Sequence, residues 1–395
     1  MERLRLAVAV VCAVLLAGGP GLRAEPGQRD RGLRLRSEVR SAVVYDDNVF
    51  LEEDGESDVA FGLAPSVGAE YVRPRWKVGG DFGVDGRLYT SNSSLSDLFW
   101  RAEAYGEIEP VRGLRLRIAD HYVPQPLVLG RPEDETANLV QSNTLLAEAR
   151  YWREIRSQAA IEVGIRAARF TADSFPASID VDGDGRIDSD SHFESDYWGV
   201  SAFAEGQLFV GRSTTVFTRL EARQREYDEL TAADYDEISV LLGFRTRVGS
   251  RLSVELAGGY GIIDYEEFEQ NPRWLGRLAL DYDMGRGWRV RLTLLRRLSS
   301  DATAIDFGET SARVGVEKRL GARTSIYADA WWAEYDSDGP GRADQRVLAG
   351  EVGLRRQLTR RIEATLSYRH WRNEGGLPDD DFTQNRVMLG LVYRY

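Results

Sequence analysis

The strongest constraint on this chain is a two-residue alternation that recurs along almost its whole length. At the C-terminus, Val387, Leu389, Leu391, Tyr393 and Tyr395 interleave with Arg386, Met388, Gly390, Val392 and Arg394. Earlier, Trp76, Val78, Phe82, Val84 and Leu88 oppose Lys77, Asp81, Asp85 and Arg87. Trp288, Val290, Leu292 and Leu294 oppose Arg289, Arg291 and Thr293 in the same way, and Ile362, Ala364, Leu366 and Tyr368 oppose Glu363, Thr365, Ser367 and Arg369. A period of two with apolar residues on one side marks a strand with one apolar face. About eighteen such segments follow one another from 33–45 to 383–395, with sixteen as the alternative count because 112–122, 141–152 and 157–170 hold the phase least well.

The connections alternate in length. Short ones lie around Pro74, Pro110 to Gly113, Trp152 to Arg156, Gly211, Gly249, Gly285 to Gly287, Gly321 and Arg360. Long, acidic ones fall at 46–57, 90–97, 123–140, 171–195, 226–234, 264–272, 299–309, 335–345 and 373–382. A soluble β-sandwich also alternates, but its polar faces meet bulk water and need not carry both charge signs on nearly every strand. Tyr71, Trp76, Trp100, Tyr151, Trp274, Tyr282 and Trp288 stand at strand ends, where an interfacial girdle would put them. The reading is therefore all-β: one transmembrane antiparallel β-barrel with short periplasmic turns, longer acidic outer loops and a lipid-facing belt. An even strand count puts both termini in the periplasm. A terminal aromatic on the apolar side resembles the C-terminal signal of outer-membrane barrels, which implies the barrel-insertion machinery as an assembly partner.

The first residues fit a bacterial outer-membrane address. Arg3 and Arg5 precede an apolar run from Leu6 to Ala17, and small residues lead to Ala24. A run of about a dozen apolar residues is a secretory signal rather than a membrane anchor, which needs about 20. Residues 1–24 are assigned to the signal, 25–32 to a periplasmic lead-in and 33–395 to the barrel. The only cysteine, Cys12, lies inside the signal, so the mature chain has no disulfide.

Strand one ends in Tyr45-Asp46-Asp47-Asn48-Val49-Phe50. With the acidic loop and alternating strand that follow, it resembles the opening of outer-membrane β-barrel porins often found with exopolysaccharide export systems. That resemblance implies a conduit for exopolysaccharide, fed by a periplasmic polysaccharide-export protein; it brings no site residues. The same barrel also reads as a passive diffusion porin for small, anionic solutes, or as a non-transporting binding or structural barrel.

A barrel of this size encloses water unless something plugs it. Arg115, Arg117, Arg219, Arg223, Arg245, Arg289, Arg291, Arg297, Arg386 and Arg394 fall on the polar face and are the candidate pore wall. Summing that face leaves it about +8, so a chain of net charge −12 would carry about −20 in its loops, and the lumen would favour an anionic polymer or solute. The alternative is a wetted wall of ion-pair ladders, with Glu221, Glu255, Asp281 and Glu363 as partners. Tyr105, Phe203, Phe217, Trp331 and Trp371 share the polar face, as sugar-stacking platforms or as packing. Pro124, Pro126, Leu127, Val128 and Leu129 make the third long connection, 123–140, either the candidate constriction or a surface loop with an apolar tip.

The 171–195 connection contains Asp180, Asp182, Asp184 and Asp188 with Gly185 at position six, in register with a calcium loop in which Arg186 would offer its carbonyl. Position twelve is Ser191, so the bidentate acid is missing unless Asp190 or Glu194 supplies it. Calcium in this outer loop is the one cofactor the residues suggest, the alternative being a plain Asp/Gly-rich exposed turn. His121, His192 and His370 are scattered and no Gly-x-Ser-x-Gly elbow is present; no enzymatic activity and no nucleic-acid partner are expected.

Overall fold

The computed structural model describes residues 32–53, 55–126, 139–172, 196–228, 234–265, 271–300, 306–337, 344–375 and 381–395. The signal segment, nearly all of the lead-in and the calcium-loop residues Asp180, Asp182, Asp184, Arg186 and Asp188 lie outside them. The strands are β1 (Gly32–Asp46), β2 (Asp58–Arg73), β3 (Trp76–Tyr89), β4 (Asp97–Val111), β5 (Leu114–Pro126) and β6 (Leu139–Arg156). Next come β7 (Ala159–Ala172), β8 (Tyr197–Val210), β9 (Thr214–Tyr227), β10 (Tyr235–Val248), β11 (Leu252–Tyr265) and β12 (Asn271–Gly285). The last six are β13 (Trp288–Ser300), β14 (Asp306–Arg319), β15 (Thr324–Ser337), β16 (Gln345–Gln357), β17 (Ile362–Gly375) and β18 (Phe382–Arg394).

All eighteen form one sheet, and each pairs antiparallel with its sequence neighbour. The sheet closes because β1 pairs with both β2 and β18, with Glu38 opposite Arg394 and Asp46 opposite Arg386. The terminal residue completes the seam through Tyr395 N–H donating to the Ser37 carbonyl at 3.0 Å. Closure removes every sheet edge, so each backbone group can be satisfied within the wall, the condition for strands to cross a bilayer.

Period two then assigns the faces. Leu33, Leu35, Val43, Tyr45, Phe61, Val78, Leu242, Leu366 and Leu389 are exposed on the outside, which lipid would cover. The girdle aromatics also face outward, among them Trp274 at 65 % exposure and Trp288 at 40 %. Strands five to seven, read as 112–122, 141–152 and 157–170, are longer or shifted toward the outer side. Their outward positions there are polar, as at Asn143 and Arg169, so apolar alternation fades while the ladder continues. Pro124 and Pro126, expected in the constricting loop, are strand residues of β5. Leu127, Val128 and Leu129 lie outside the described residues.

Several inner aromatics lie flat against the wall. Tyr105, Phe203, Phe217 and Tyr327 are the direct cross-strand partners of Gly79, Gly164, Gly243 and Gly353. A Cβ on Gly243 would come within 2.7 Å of the Phe217 ring. Glycine weakens a strand by itself; here its missing side chain is the seat for a ring.

Candidate functional site: the lumen and its outer mouth

The ten predicted pore arginines all occupy inward positions, and nine make ion pairs. Arg115 Nε lies 3.2 Å from Glu107 and Arg117 Nη2 3.6 Å from Glu103. Arg219 pairs with Glu221 at 3.0 Å, and Arg223 with Glu237 at 3.3 Å. Arg245 joins Glu205 and Glu255, each at 3.2 Å. Arg297 meets Glu309 at 2.7 Å, Arg386 meets Asp46 at 3.3 Å and Arg394 meets Glu38 at 2.9 Å. Arg289 takes Asp281, although Arg291 is that carboxylate's cross-strand neighbour. Arg291 is thus the one member of the set without an ion pair among the described residues.

These pairs correct the charge sum. Glu103, Glu107, Glu148, Glu205, Glu237, Glu309, Asp329 and Glu351 also face the lumen, so the wall comes within a few charges of balance instead of about +8. The expected partners Glu221, Glu255, Asp281 and Glu363 all take part in the ladders. In a hydrated lumen each pair contributes about 0–1 kcal/mol; their main effect is a polar, wetted surface.

The inner aromatics divide into two groups. Phe203, Phe217 and Tyr105 are sandwiched between a wall glycine and a cation, with Arg219 4.5 Å from the Phe203 centroid, Arg245 4.1 Å from Phe217 and Arg117 5.7 Å from Tyr105. Their faces are occupied. Trp331 and Trp371 belong to the outer mouth, with centroids 5.1 Å apart.

At that mouth the described residues of the first loop, 47–53 and 55–57, fold against the inner wall. Leu51 is fully buried against Ala333, Tyr335, Val347, Ala349, Trp371 and Phe382, the inner faces of β15 to β18. Val49, also fully buried, packs on Ala60 and Tyr89 of β2 and β3 and on Leu95 of the β3–β4 loop. The loop therefore bridges the inner wall from β3 round to β15. Leu51 adopts φ 62°, a left-handed conformation costing about 1–2 kcal/mol outside glycine, tolerated because its surroundings dictate it.

The hexapeptide around Asp46 supplies the anchor. Gln384 donates to the Asp46 carboxylate at 2.7 Å and to the Asn48 carbonyl at 3.3 Å. Asn385 donates through its N–H and its side chain to the two Asp47 carboxylate oxygens, at 2.6 and 2.7 Å. Asn48 is 3 % exposed; its Nδ2 donates to Glu52 O at 2.7 Å and to Thr383 O at 3.0 Å, and its Oδ1 accepts from Glu52 N at 3.1 Å. Asp58 secures the neighbouring β3–β4 loop by accepting from the Ser91 and Asn92 N–H groups at 3.0 and 2.7 Å and from the Thr90 hydroxyl. This inward fold was not expected. Its signal is the apolar run Val49-Phe50-Leu51 inside an acidic loop.

His121 lies inward at 3.7 Å from Glu103, whereas His370 faces outward and hydrogen-bonds Asn385 at 2.9 Å; the two do not share a site.

Known proteins share the fold. Residues 32–395 match the family described as "Putative beta-barrel porin 2", and the chain belongs to it. No curated protein matches the chain. Among solved structures it is similar to Pseudomonas aeruginosa OccK2 (OpdF) in complex with glucuronate, at 12 % identity and TM-score 0.53 over 94 % of this chain and 100 % of that one. It is also similar to Pseudomonas aeruginosa OpdK with vanillate (12 %, TM-score 0.51, 91 % and 99 %) and to Acinetobacter baumannii OccAB4 (10 %, TM-score 0.53, 94 % and 100 %). The chain is an outer-membrane β-barrel porin of eighteen strands.

Proposed function

We propose that this member of the β-barrel porin family is a non-catalytic, passive diffusion channel for small charged solutes. The observation that carries the reading is the first loop, pinned across the inner wall at the outer mouth by Leu51 on one side and Val49 on the other. A polymer in transit would have to thread past it, whereas a small solute needs only the remaining opening. The export conduit, with its exopolysaccharide and periplasmic export protein, rests on sequence resemblance alone.

The wall favours solutes that form hydrogen-bonded ion pairs. Guanidinium forks bind carboxylates in two-point geometry, and weak exposed pairs can exchange one carboxylate for another. Arg291 supplies a cation with no ion pair among the described residues, so carboxylated solutes are the class it fits. Vanillate and glucuronate, found in the two Pseudomonas proteins, belong to that class; at this identity those proteins support the architecture and leave the solute to this chain's own wall.

Liposome swelling with neutral sugars and sugar acids of increasing size tests the proposal. Small sugar acids should enter fastest and oligosaccharides should be excluded. Entry of long oligosaccharides without a size limit would return the conduit to first place. Deleting the gene in its host should leave surface polysaccharide unchanged.

A further inference from the structure

The eight turns at the short-loop end, β2–β3, β4–β5, β6–β7, β8–β9, β10–β11, β12–β13, β14–β15 and β16–β17, share a composition. Seven contain arginine: Arg75, Arg112, Arg212, Arg251, Arg286, Arg323 and the Arg360-Arg361 pair, all exposed. None of the residues between these strands is Asp or Glu. The contrast with the lumen is sharp in kind: nine of the ten pore arginines are matched by carboxylates, but these turn arginines form no ion pair among the described residues. The outer loops, by contrast, are acidic.

The turn residue Arg361 and the strand-end cations Arg73 and Lys318 sit on the lower aromatic girdle. The Arg73 guanidinium lies 5.0 Å from the Tyr71 centroid, Arg361 lies 4.8 Å from Tyr395 and the Lys318 ammonium lies 4.9 Å from Trp288. Tyr71, Tyr395 and Trp288 face outward, so the cations carried on them point toward the membrane edge rather than into the pore. One strip of this edge has a built shape. A depression of about 670 Å³ runs over Trp288, Val316, Ile326, Ala328, Leu354 and Tyr368, with Lys318 at its turn-side end. Its depth comes from Ala328, the small residue between Val316 and Val352 in the register. Lys318 uses one donor on the Arg286 carbonyl at 2.7 Å, which leaves two N–H groups for a ligand.

We propose that the short-turn rim is a binding collar for anionic phospholipid of the periplasmic leaflet, in which turn arginines hold headgroup phosphates and the depression beside Lys318 seats one acyl chain. The apolar depth below a cation is the pattern of a lipid, with its chain in hydrocarbon and its phosphate at the interface. Each cation at an anionic surface changes partitioning by roughly fivefold, so a ring of seven or more selects strongly while touching no strand hydrogen bond.

The test uses the full-length barrel in nanodiscs of equal phosphatidylglycerol and phosphatidylcholine, with retained lipids read by native mass spectrometry after release. Wild type should keep phosphatidylglycerol in excess, and R75Q/R212Q/R323Q/R360Q should cut that excess by at least about tenfold. Ala328→Leu, which fills the depression, should remove the most tightly held lipid and leave the remaining preference intact. Heat-modifiable migration of every variant confirms a closed barrel. Equal retention of both lipids by wild type, or an unchanged excess in the quadruple variant, would overturn the proposal.

Discussion

Releasing the first loop should open the pore without weakening the barrel, and the double variant N48A/L51A is the means. Asn48→Ala removes three hydrogen bonds made inside the mouth, each contributing about 0.5–1.5 kcal/mol. Leu51→Ala removes a fully buried side chain from the β15 to β18 wall, at about 2–5 kcal/mol. Together these losses shift the balance toward a released loop by about 3.5–9.5 kcal/mol, taken as a range because neighbouring changes do not add simply. At about 1.4 kcal/mol per factor of ten, even the lower bound moves the open-to-closed ratio more than a hundredfold. The strand ladders use none of these groups, so the temperature of heat modification should not move. Planar-bilayer recording should show higher single-channel conductance, and liposome swelling a larger solute limit. Wild-type conductance and size limit in a correctly folded N48A/L51A barrel would refute the assignment of this loop as the constriction.

Four further outcomes follow from named contacts. Replacing Arg289, Arg291 and Arg297 with glutamine should lower anion preference in reversal-potential measurements; a cation-selective wild type would sink the anionic reading. Gly243→Val should destabilise the barrel by about 1–3 kcal/mol, seen as a lower heat-modification temperature, because the new side chain meets Phe217 and the Leu256 carbonyl. Deleting Tyr393 to Tyr395 removes the closing contacts with β1 and the terminal aromatic, so unfolded periplasmic protein should accumulate; a heat-modifiable barrel in the outer membrane would contradict this. From the acidic register of Asp180, Asp182, Asp184 and Asp188, chelation should speed proteolysis within 171–195 while barrel melting stays constant, and D180A/D184A should mimic it; cleavage indifferent to calcium would reduce the motif to an acidic turn.

The wall was legible in sequence because the bilayer imposes its own code. Lipid on one side and water on the other force a period of two, and Trp76 to Tyr89 or Ile362 to Arg369 can be assigned to faces one residue at a time. Legibility fails where that code stops. Above the lipid belt both faces of a strand meet water, and positions such as Arg169 and Arg296 lose the apolar mark of an outward side. Strand ends near the outer mouth are hard to place from sequence for that reason.

The mouth was hidden for a different reason. Asp46, Asp47 and Asn48 read locally as a turn, since Asp and Asn side chains bond nearby backbone. Their structural partners, Gln384 and Asn385, lie 338 residues away and become neighbours only when the last strand closes on the first. Closure therefore does two jobs at one seam. It satisfies the final ladder, and it brings together the groups that turn the first loop inward. A barrel that failed to pair β18 with β1 would lose the anchor of its first loop along with its wall, since Gln384 and Asn385 hold both Asp46 and Asp47.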